Sequence, residues 1–373
     1  MKMKLLTTAM SVIALAIAAQ ANAGTVTSKG DDLIISTKSG LKVVTADGDK
    51  SFAVGGRIQW DYANIDVNGD NVINDTYIRR ARVFFKGHNG DWAYKAQYNL
   101  DDNRGETKRK GGVVEDLYIR YIGFGETANI TVGKQKAPFG LEELTSSKDI
   151  TSLERSASTA LFAPGRHVGL QLHGATGMFS YGIGAFEADK EIIDSDGQFF
   201  DRADDDSSSI AVVGRVTAAP INEDGRVLHF GAGFIEAPDD SQNFRLKDVY
   251  NLEVAGVAGP FHFQAEYFDG TDADSYYAQA GWVLTGESRP YKKGVFKRIK
   301  PNSDSGAWEL VARYNDGSGD FGELGDVEAK SYLFGANYYT GSVRIGANYT
   351  QMDQDSTGDD ADIFQVRIQY VYE

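Results

Sequence analysis

The chain has 373 residues, no cysteine and a formal net charge of −15 at pH 7. The lack of cysteine excludes disulfides, thiolate metal sites and cysteine nucleophiles. The acidic balance disfavours nucleic acid as a partner, because phosphate binding needs a basic face. Glycine is abundant at 42 residues, proline is rare at 7, and 12% of the residues are aromatic, which argues against a series of ordinary soluble domains.

The first 23 residues have the pattern of a cleaved signal peptide. Lys2 and Lys4 form a basic start, an apolar run of roughly 15 residues follows, and Ala21-Asn22-Ala23 is a typical cleavage site. The apolar run is short for a membrane-spanning helix, which disfavours an uncleaved anchor. Cleavage would leave 350 residues with a net charge of −17, and it predicts an exported protein.

From residue 51 onward, apolar and polar residues alternate as they do in amphipathic strands. Ile58 and Trp60 share one parity, whereas Arg57, Gln59 and Asp61 share the other, and alternate side chains of a strand face opposite sides. Short turns and long polar connections also alternate, as expected of a membrane barrel. We predict about 16 strands, placed near 51–63, 76–88, 91–100, 113–124, 128–136, 165–174, 178–187, 208–219, 226–237, 245–257, 260–269, 274–285, 306–315, 329–339, 342–352 and 362–372.

The predicted fold is an all-β transmembrane antiparallel barrel with an aqueous lumen, spanning residues 51–373. Residues 24–50 form a polar periplasmic lead-in of weak strand character. A soluble β-sandwich, a β-helix or an adhesin is the alternative, but aromatic residues cluster at strand ends as membrane girdles require. The long connection at 137–164 is expected to fold inward and narrow the pore, and its Thr151-x-x-Glu154 capping box predicts a short helix beginning there.

Arginines on the polar parity of the first two strands are candidates for binding a solute. Arg57, Arg80 and Arg82 should face the lumen, whereas Arg79 should face outward unless it lies near the rim or a bulge turns it inward. The rigid donor fork of arginine suits planar or tetrahedral oxyanions. The alternative is that these arginines only pair with carboxylates of the lumen.

Two further segments have a functional and a simpler interpretation. The basic run at 286–305 is a solvated turn, an anion-collecting vestibule, or a sign of a miscounted strand. Its basic residues are Arg289, Lys292, Lys293, Lys297, Arg298 and Lys300. The polar connection at 64–75 has the alternating Asx residues of a calcium loop but lacks the glycine and glutamate of the EF-hand pattern, which favours an ordinary outer loop without metal.

No arrangement of residues predicts catalysis, a metal site or a cofactor. The five histidines are scattered along the chain, and the serines at 146 and 147 are not in a nucleophile elbow. An enzyme or an adhesin that uses the barrel as a scaffold stays open as an alternative from another class, and we expect no enzymatic activity.

The chain resembles the phosphate-selective porin O/P family of Gram-negative outer membranes over essentially its whole mature length. The collinear segments are Phe52–Arg57, Tyr77–Ala81, Gly133–Lys148, Leu153–Arg155, Leu284–Tyr291, Ile299–Pro301 and Gly306–Leu310. The resemblance implies a 16-stranded homotrimeric porin in the outer membrane, in contact with lipid and lipopolysaccharide, with the long inner loop constricting each pore.

The resemblance also implies which residues contact the solute. These are Arg57, Arg79, Arg80, Arg155, Lys148, Ser146, Ser147, Glu115 and Asp116. The chain departs from the phosphate-selective members at Glu143, where those members carry a lysine, and at 237–250, where only Arg245 and Lys247 are basic. We therefore expect passive diffusion of small hydrophilic solutes with a preference for anions such as phosphate, and a nonselective or cation-preferring porin is the alternative.

Overall fold

The computed structural model describes residues 24–27, 32–37, 40–100, 113–188, 209–238, 247–320 and 326–373. Sixteen antiparallel strands form one closed barrel, because the last strand pairs with the first barrel strand from Gly56 to Val67. The predicted strand number and architecture are confirmed. The barrel strands are β4 (Lys50–Val67), β5 (Asp70–Asn89), β6 (Trp92–Asn99), β7 (Val113–Tyr121), β8 (Asn129–Lys136), β9 (Arg166–Thr176), β10 (Phe179–Glu187), β11 (Ile210–Glu223), β12 (Arg226–Glu236), β13 (Val249–Ala258), β14 (Phe261–Asp269), β15 (Ala273–Val283), β18 (Ala307–Asp320), β19 (Asp326–Thr340), β20 (Val343–Gln354) and β21 (Asp359–Tyr372).

Three short strands precede the barrel in the segment that was expected to be a lead-in. They are β1 (Gly24–Thr27), β2 (Asp32–Ser36) and β3 (Leu41–Thr45), which pair in sequence order. Because β3 also pairs with the start of β4, the segment extends the barrel sheet. The predicted signal peptide at 1–23 lies outside the described residues.

The strands present apolar side chains outward and polar side chains to the lumen, as their alternation predicts. Ile58 and Trp60 of β4 are 46% and 42% exposed, whereas Gln59 between them is completely buried. The last strand repeats the pattern, with Ile368 exposed and its neighbour Arg367 buried. An outer surface of large apolar residues suits contact with hydrocarbon, and buried polar residues line the interior.

The two ends of the barrel have different connections. At one end, named the turn end, five connections are two residues long. At the other end, named the loop end, most connections are longer than two residues. The prediction of a polar loop at 64–75 is wrong. Asn68 and Gly69 have φ of 53° and 84°, which fits a tight hairpin turn, so β4 and β5 pair up to it. Asn71 donates to Asp66 across this hairpin at 2.9 Å, so the Asx residues lie on paired strands.

Two segments between barrel strands fold into the lumen. The pore loop is residues 137–165, between β8 and β9, and it contains α1 (Leu141–Leu144) and α2 (Ala157–Phe162). Its Phe139 and Phe162 pack against Phe268 of the wall, with ring centroids 6.0 and 5.4 Å away. The predicted inward fold of this loop is confirmed. No helix in the described part of the chain is long and apolar enough to cross a membrane.

The prediction of a helix beginning at Thr151 is wrong. Residues 151–154 form bends, and α2 begins at Ala157 with Ser156 as its N-cap. The Thr151 hydroxyl accepts a hydrogen bond from Gln279 at 2.8 Å, and the Glu154 carboxylate binds arginines of the wall. Neither side chain is therefore available to cap a helix.

The second segment, named the inner hairpin, is residues 284–306 between β15 and β18, and contains β16 (Tyr291–Lys292) and β17 (Val295–Phe296). Phe296 is buried against Leu141 of the pore loop and Val227 of the wall. Arg289 donates to Gln264 at 2.8 Å and is only 2% exposed. The basic run is thus neither a missed strand nor a fully solvated turn, because the 16 strands close without it and part of it is buried.

Candidate solute-binding site in the barrel lumen

A cavity of about 730 Å³ lies in the lumen between the wall, the pore loop and the inner hairpin. Seven of the predicted site residues line it. They are Arg57, Arg80, Asp116, Ser146, Ser147, Lys148 and Arg155. The other three, Arg79, Glu115 and Glu143, are not part of this lining. Glu115 and Glu143 pair with lining arginines, and Arg79 pairs with Glu154, which also pairs with the lining residue Arg80.

A β-bulge in β5 brings two consecutive arginines to the lumen. The register of β5 against β4 shifts between Gln59 and Trp60 and leaves Arg79 as the extra residue. Arg79 donates from Nε and Nη2 to the two carboxylate oxygens of Glu154 at 2.8 and 3.0 Å. Arg80 donates to Gln59 Oε1 at 2.9 Å and also pairs with Glu154. The bulge alternative for Arg79 is therefore the correct one.

A second bulge, in β7, turns two consecutive carboxylates toward the lumen. The register against β6 shifts at this point, and both Glu115 and Asp116 are buried on the lumen side. Asp116 accepts from Arg166 at 2.6 Å and from Lys95 at 2.7 Å, while Glu115 pairs with Arg82 and Arg166. These carboxylates are thus counter-ions of wall cations.

Arginines on the facing wall hold the backbone of the pore loop. Arg313 donates from Nη1 to the Glu154 carbonyl at 3.0 Å, Arg344 donates to the Thr151 carbonyl, and Arg367 donates to another loop carbonyl. Buried carbonyls need such donors, since an unpaired one would cost the desolvation free energy of the group. These three arginines therefore position the pore loop.

Glu143, the main departure from the phosphate-selective pattern, does not face the cavity. Its side chain is 8% exposed, and its two oxygens accept from Lys136 at 2.9 Å and from Arg155 at 3.0 Å. Both cations line the cavity. The negative charge is compensated locally, which weakens its repulsion of an anion in the lumen.

Arg57 retains donors for a solute. Its Nη1 donates to Ser146 Oγ at 3.1 Å, its buried Nε has no partner, and it forms no ion pair with a carboxylate of the described residues. Ser147 and Lys148 follow on the same loop, and Lys148 pairs with Glu373. A guanidinium with unused donors beside a hydroxyl suits a small oxyanion.

The lining of the cavity is strongly basic. Thirteen arginines and lysines line it, against four carboxylates, in a chain whose formal net charge is −15. A cleft lined by one sign of charge raises the local concentration of the opposite ion. The charge of the cavity lining is thus opposite in sign to that of the whole chain.

Ion pairs keep two carboxylates of the pore loop, those of Glu143 and Glu154, ionised. Burial alone would raise the pKa of Glu143 and of Glu154, but the cations beside them outweigh it. Lys136 and Arg155 hold the pKa of Glu143 below its usual range, and Arg80 with its neighbouring arginines holds the pKa of Glu154 well below it.

Acidification to about pH 5 should therefore leave Glu143 and Glu154 ionised, and these two groups should not change ion selectivity or the heat-unfolding midpoint above that pH. A carboxylate whose pKa is lower in the folded state contributes stability above its unfolded pKa, which is about 4.3 for glutamate, and this stability is lost as the pH falls through the folded pKa. Measured from about pH 8 to about pH 3, the heat-unfolding midpoint should lose the contribution of these two carboxylates only below roughly pH 4, and anion preference should rise there because protonation removes negative charge from the lumen. A transition between pH 8 and pH 5 that disappears in Glu143→Gln or Glu154→Gln would contradict these pKa directions.

Several residues that shape the site were not predicted. Glu154 joins three arginines, Lys136 compensates Glu143 beside the predicted Arg155, and Arg166 joins two carboxylates. The lumen parity of β18 and β20 could have identified Arg313 and Arg344 as inward-facing, but no local signal gives their partners. No group of three or more metal-binding side chains occurs within the described ranges.

Comparison with known proteins gives matches along the whole chain. Residues 52–245 and 237–372 match the family model described as Phosphate-selective porin O and P. The chain is 32% identical to Porin O of Pseudomonas aeruginosa, over 97% of its own length and 98% of that protein.

Solved porins share the fold at low sequence identity. The anion-selective porin from Comamonas acidovorans has a TM-score of 0.58 and 14% identity, over 87% of this chain and all of that one (100%). The trimer form of the outer-membrane protein OmpT of Vibrio cholerae has a TM-score of 0.52 and 13% identity, over 86% and 99% of the two chains. At these identities the likeness concerns the barrel alone.

Proposed function

The chain belongs to the phosphate-selective porin O and P family and is an outer-membrane porin, and we propose that it conducts small anions and binds inorganic phosphate at Arg57 and Ser146. Membership of this family makes it a channel rather than an enzyme. The phosphate site is inferred from this chain's own lumen.

The observation that carries the proposal is the charge of the cavity lining. Thirteen basic residues face four carboxylates there, although the chain as a whole is acidic. Such a lumen attracts anions and repels cations before any specific contact is made. Glu143, which would favour cations if it faced the pore, is paired with Lys136 and Arg155 instead.

The contacts around the pore loop indicate where an anion would stop. Arg80 and Arg155 line the cavity but already bind carboxylates, whereas the described partner of Arg57 is a neutral hydroxyl. Phosphate can accept from the free donors of this guanidinium and from Ser146 at the same time. The bound anion then sits where the pore loop narrows the lumen.

Planar-bilayer recording of the purified porin tests this function. We expect the zero-current potential under a KCl gradient to show preference for chloride, and added phosphate to block the chloride current at micromolar to millimolar concentration. Cation preference without block would overturn the proposal in favour of a nonselective or cation-preferring porin. Absence of stepwise conductance would favour an adhesin or another scaffold role.

We also propose that the porin is a homotrimer whose outer face contacts lipid and whose loop end contacts lipopolysaccharide. The short strands β6, β7 and β8 expose Trp92, Leu117 and Val132, which gives an apolar wall for a second copy or for lipid. Native mass spectrometry in detergent should give three chains per particle, and a monomer would contradict the trimer.

A further inference from the structure

Glu373 lies inside the lumen, at the same cavity as the proposed anion site. Val371 of β21 pairs with Arg57 and faces inward, Tyr372 pairs with Gly56, and the next residue returns to the inner face. The side chain of Glu373 is 28% exposed and lines the cavity. The Glu373 carboxylate therefore lies at the same cavity as Arg57, the arginine that retains free donors.

The partner of this carboxylate is Lys148 of the pore loop. Its ammonium donates to Glu373 Oε1 and lies 3.6 Å from Asp149 Oδ1. The Lys148 carbonyl accepts from Gln369 of β21 at 3.1 Å, which fixes the loop beside the strand that leads to Glu373. The lysine and the carboxylate are thus held together from both sides.

We propose that Glu373 sets the anion affinity of the pore by occupying Lys148 in competition with the solute. The inference rests on the proposed function, because it concerns anions at the same cavity. A group that the chain holds beside its partner acts at an effective concentration of about millimolar or more. A small anion that binds Lys148 no more tightly than this carboxylate must exceed that concentration to displace it, so the tethered carboxylate weakens binding and favours release.

The position of Lys148 means that its competition with Glu373 affects anion binding at Arg57. Both residues line the same cavity, and Ser146, which contacts Arg57, lies two residues before Lys148. An anion bound by Arg57 can reach this ammonium only if Glu373 leaves it. Removing the carboxylate would leave Lys148 only its longer contact with Asp149 among the described residues, at 3.6 Å, and would make the ammonium a second cation for an anion at Arg57.

The test is Glu373→Gln in the full-length porin, which keeps the chain length and removes one charge. We expect the half-blocking phosphate concentration to fall by about two- to fivefold, the range that a partly exposed ion pair supports. The permeability ratio should also shift from potassium toward chloride. In a Lys148→Gln background, Glu373→Gln should have less than half of this effect.

Glu126→Gln is the matched control. Glu126 lines the same cavity and is paired with Lys293 at 2.7 Å. Its replacement by glutamine removes one negative charge at a different place in the lining. An equal gain of phosphate affinity in both variants would overturn the proposal, since net charge alone would then explain it. No change in Glu373→Gln, or a lower unfolding midpoint with unchanged selectivity, would also overturn it and leave Glu373 as an anchor of the loop.

The two proposals fail separately. If the wild-type pore shows no phosphate block but Glu373→Gln still shifts permeability toward chloride in a Lys148-dependent way, the proposed phosphate function is wrong and the competition stands. If the wild-type pore is blocked by phosphate and Glu373→Gln leaves both readouts unchanged, only the competition is wrong.

Discussion

Replacing Arg57 by glutamine should weaken phosphate block of the pore by roughly 10- to 100-fold. A hydrogen bond from a charged donor contributes about 1.5–3 kcal/mol, and each 1.4 kcal/mol is a factor of ten in affinity. Glutamine keeps a polar side chain on β4 but removes the charge and the guanidinium fork. The half-blocking phosphate concentration in single-channel recordings gives the effect directly, and the zero-current potential should move toward potassium.

A loss of basic charge elsewhere should not reproduce this result. Arg226→Gln removes the same charge from an exposed side chain at the turn end, where the arginine pairs with Glu223 outside the cavity. Its phosphate block should equal that of the wild type. If Arg57→Gln keeps the wild-type affinity, the anion binds at another cation of the lumen; if both variants lose affinity equally, general attraction explains the block and no site at Arg57 exists.

The wall of the barrel was predictable because its physical cause is local. Each strand must show an apolar face to lipid and a polar face to the lumen, so alternation along the sequence gives both the strand and its orientation. This holds even for β21, where Ile368 and Arg367 face opposite sides as predicted. The wrong prediction of a loop at 64–75 has a local cause too, since Asn68-Gly69 is a hairpin signal that lies within a polar stretch.

The pairing inside the lumen was not predictable from one sequence. Glu154 meets Arg79 and Arg367, which are 75 and 213 residues away along the chain. Nothing in the local pattern of 151–154 distinguishes a carboxylate that binds these arginines from one that caps a helix. The partners of a residue in the pore loop depend on how the loop crosses the barrel, and this is decided by contacts with several wall strands together.

Glu143 shows how unpredicted ion pairs change the expected selectivity of the pore. An acidic residue where the family resemblance implies a lysine predicts repulsion of anions. In the folded chain the same residue turns away from the cavity to Lys136 and Arg155. A charge substitution in a pore therefore changes selectivity only as far as the surrounding charges leave it uncompensated.

Glu154→Gln should have the largest effect on stability and should also raise anion preference. The substitution leaves Arg79 without its carboxylate partner and removes one partner from Arg80 and Arg367. Breaking a buried ion pair costs about 3–5 kcal/mol, and because the Glu154 side chain is 30% exposed we expect a somewhat smaller loss of about 2–3 kcal/mol. The heat-unfolding midpoint in detergent should fall, while chloride permeability relative to potassium should rise.

The reason that both quantities should change is that one carboxylate has two roles. It holds the pore loop to β5 and β21, and its negative charge partly compensates the three arginines that it pairs with, which would otherwise attract anions. Glu126→Gln is the control, because the Glu126 side chain is 75% exposed and its ion pair is with Lys293 of the inner hairpin, not with the pore loop. Its unfolding midpoint should match that of the wild type. A Glu154→Gln porin as stable as this control would mean that the wall arginines hold the loop through its carbonyls alone.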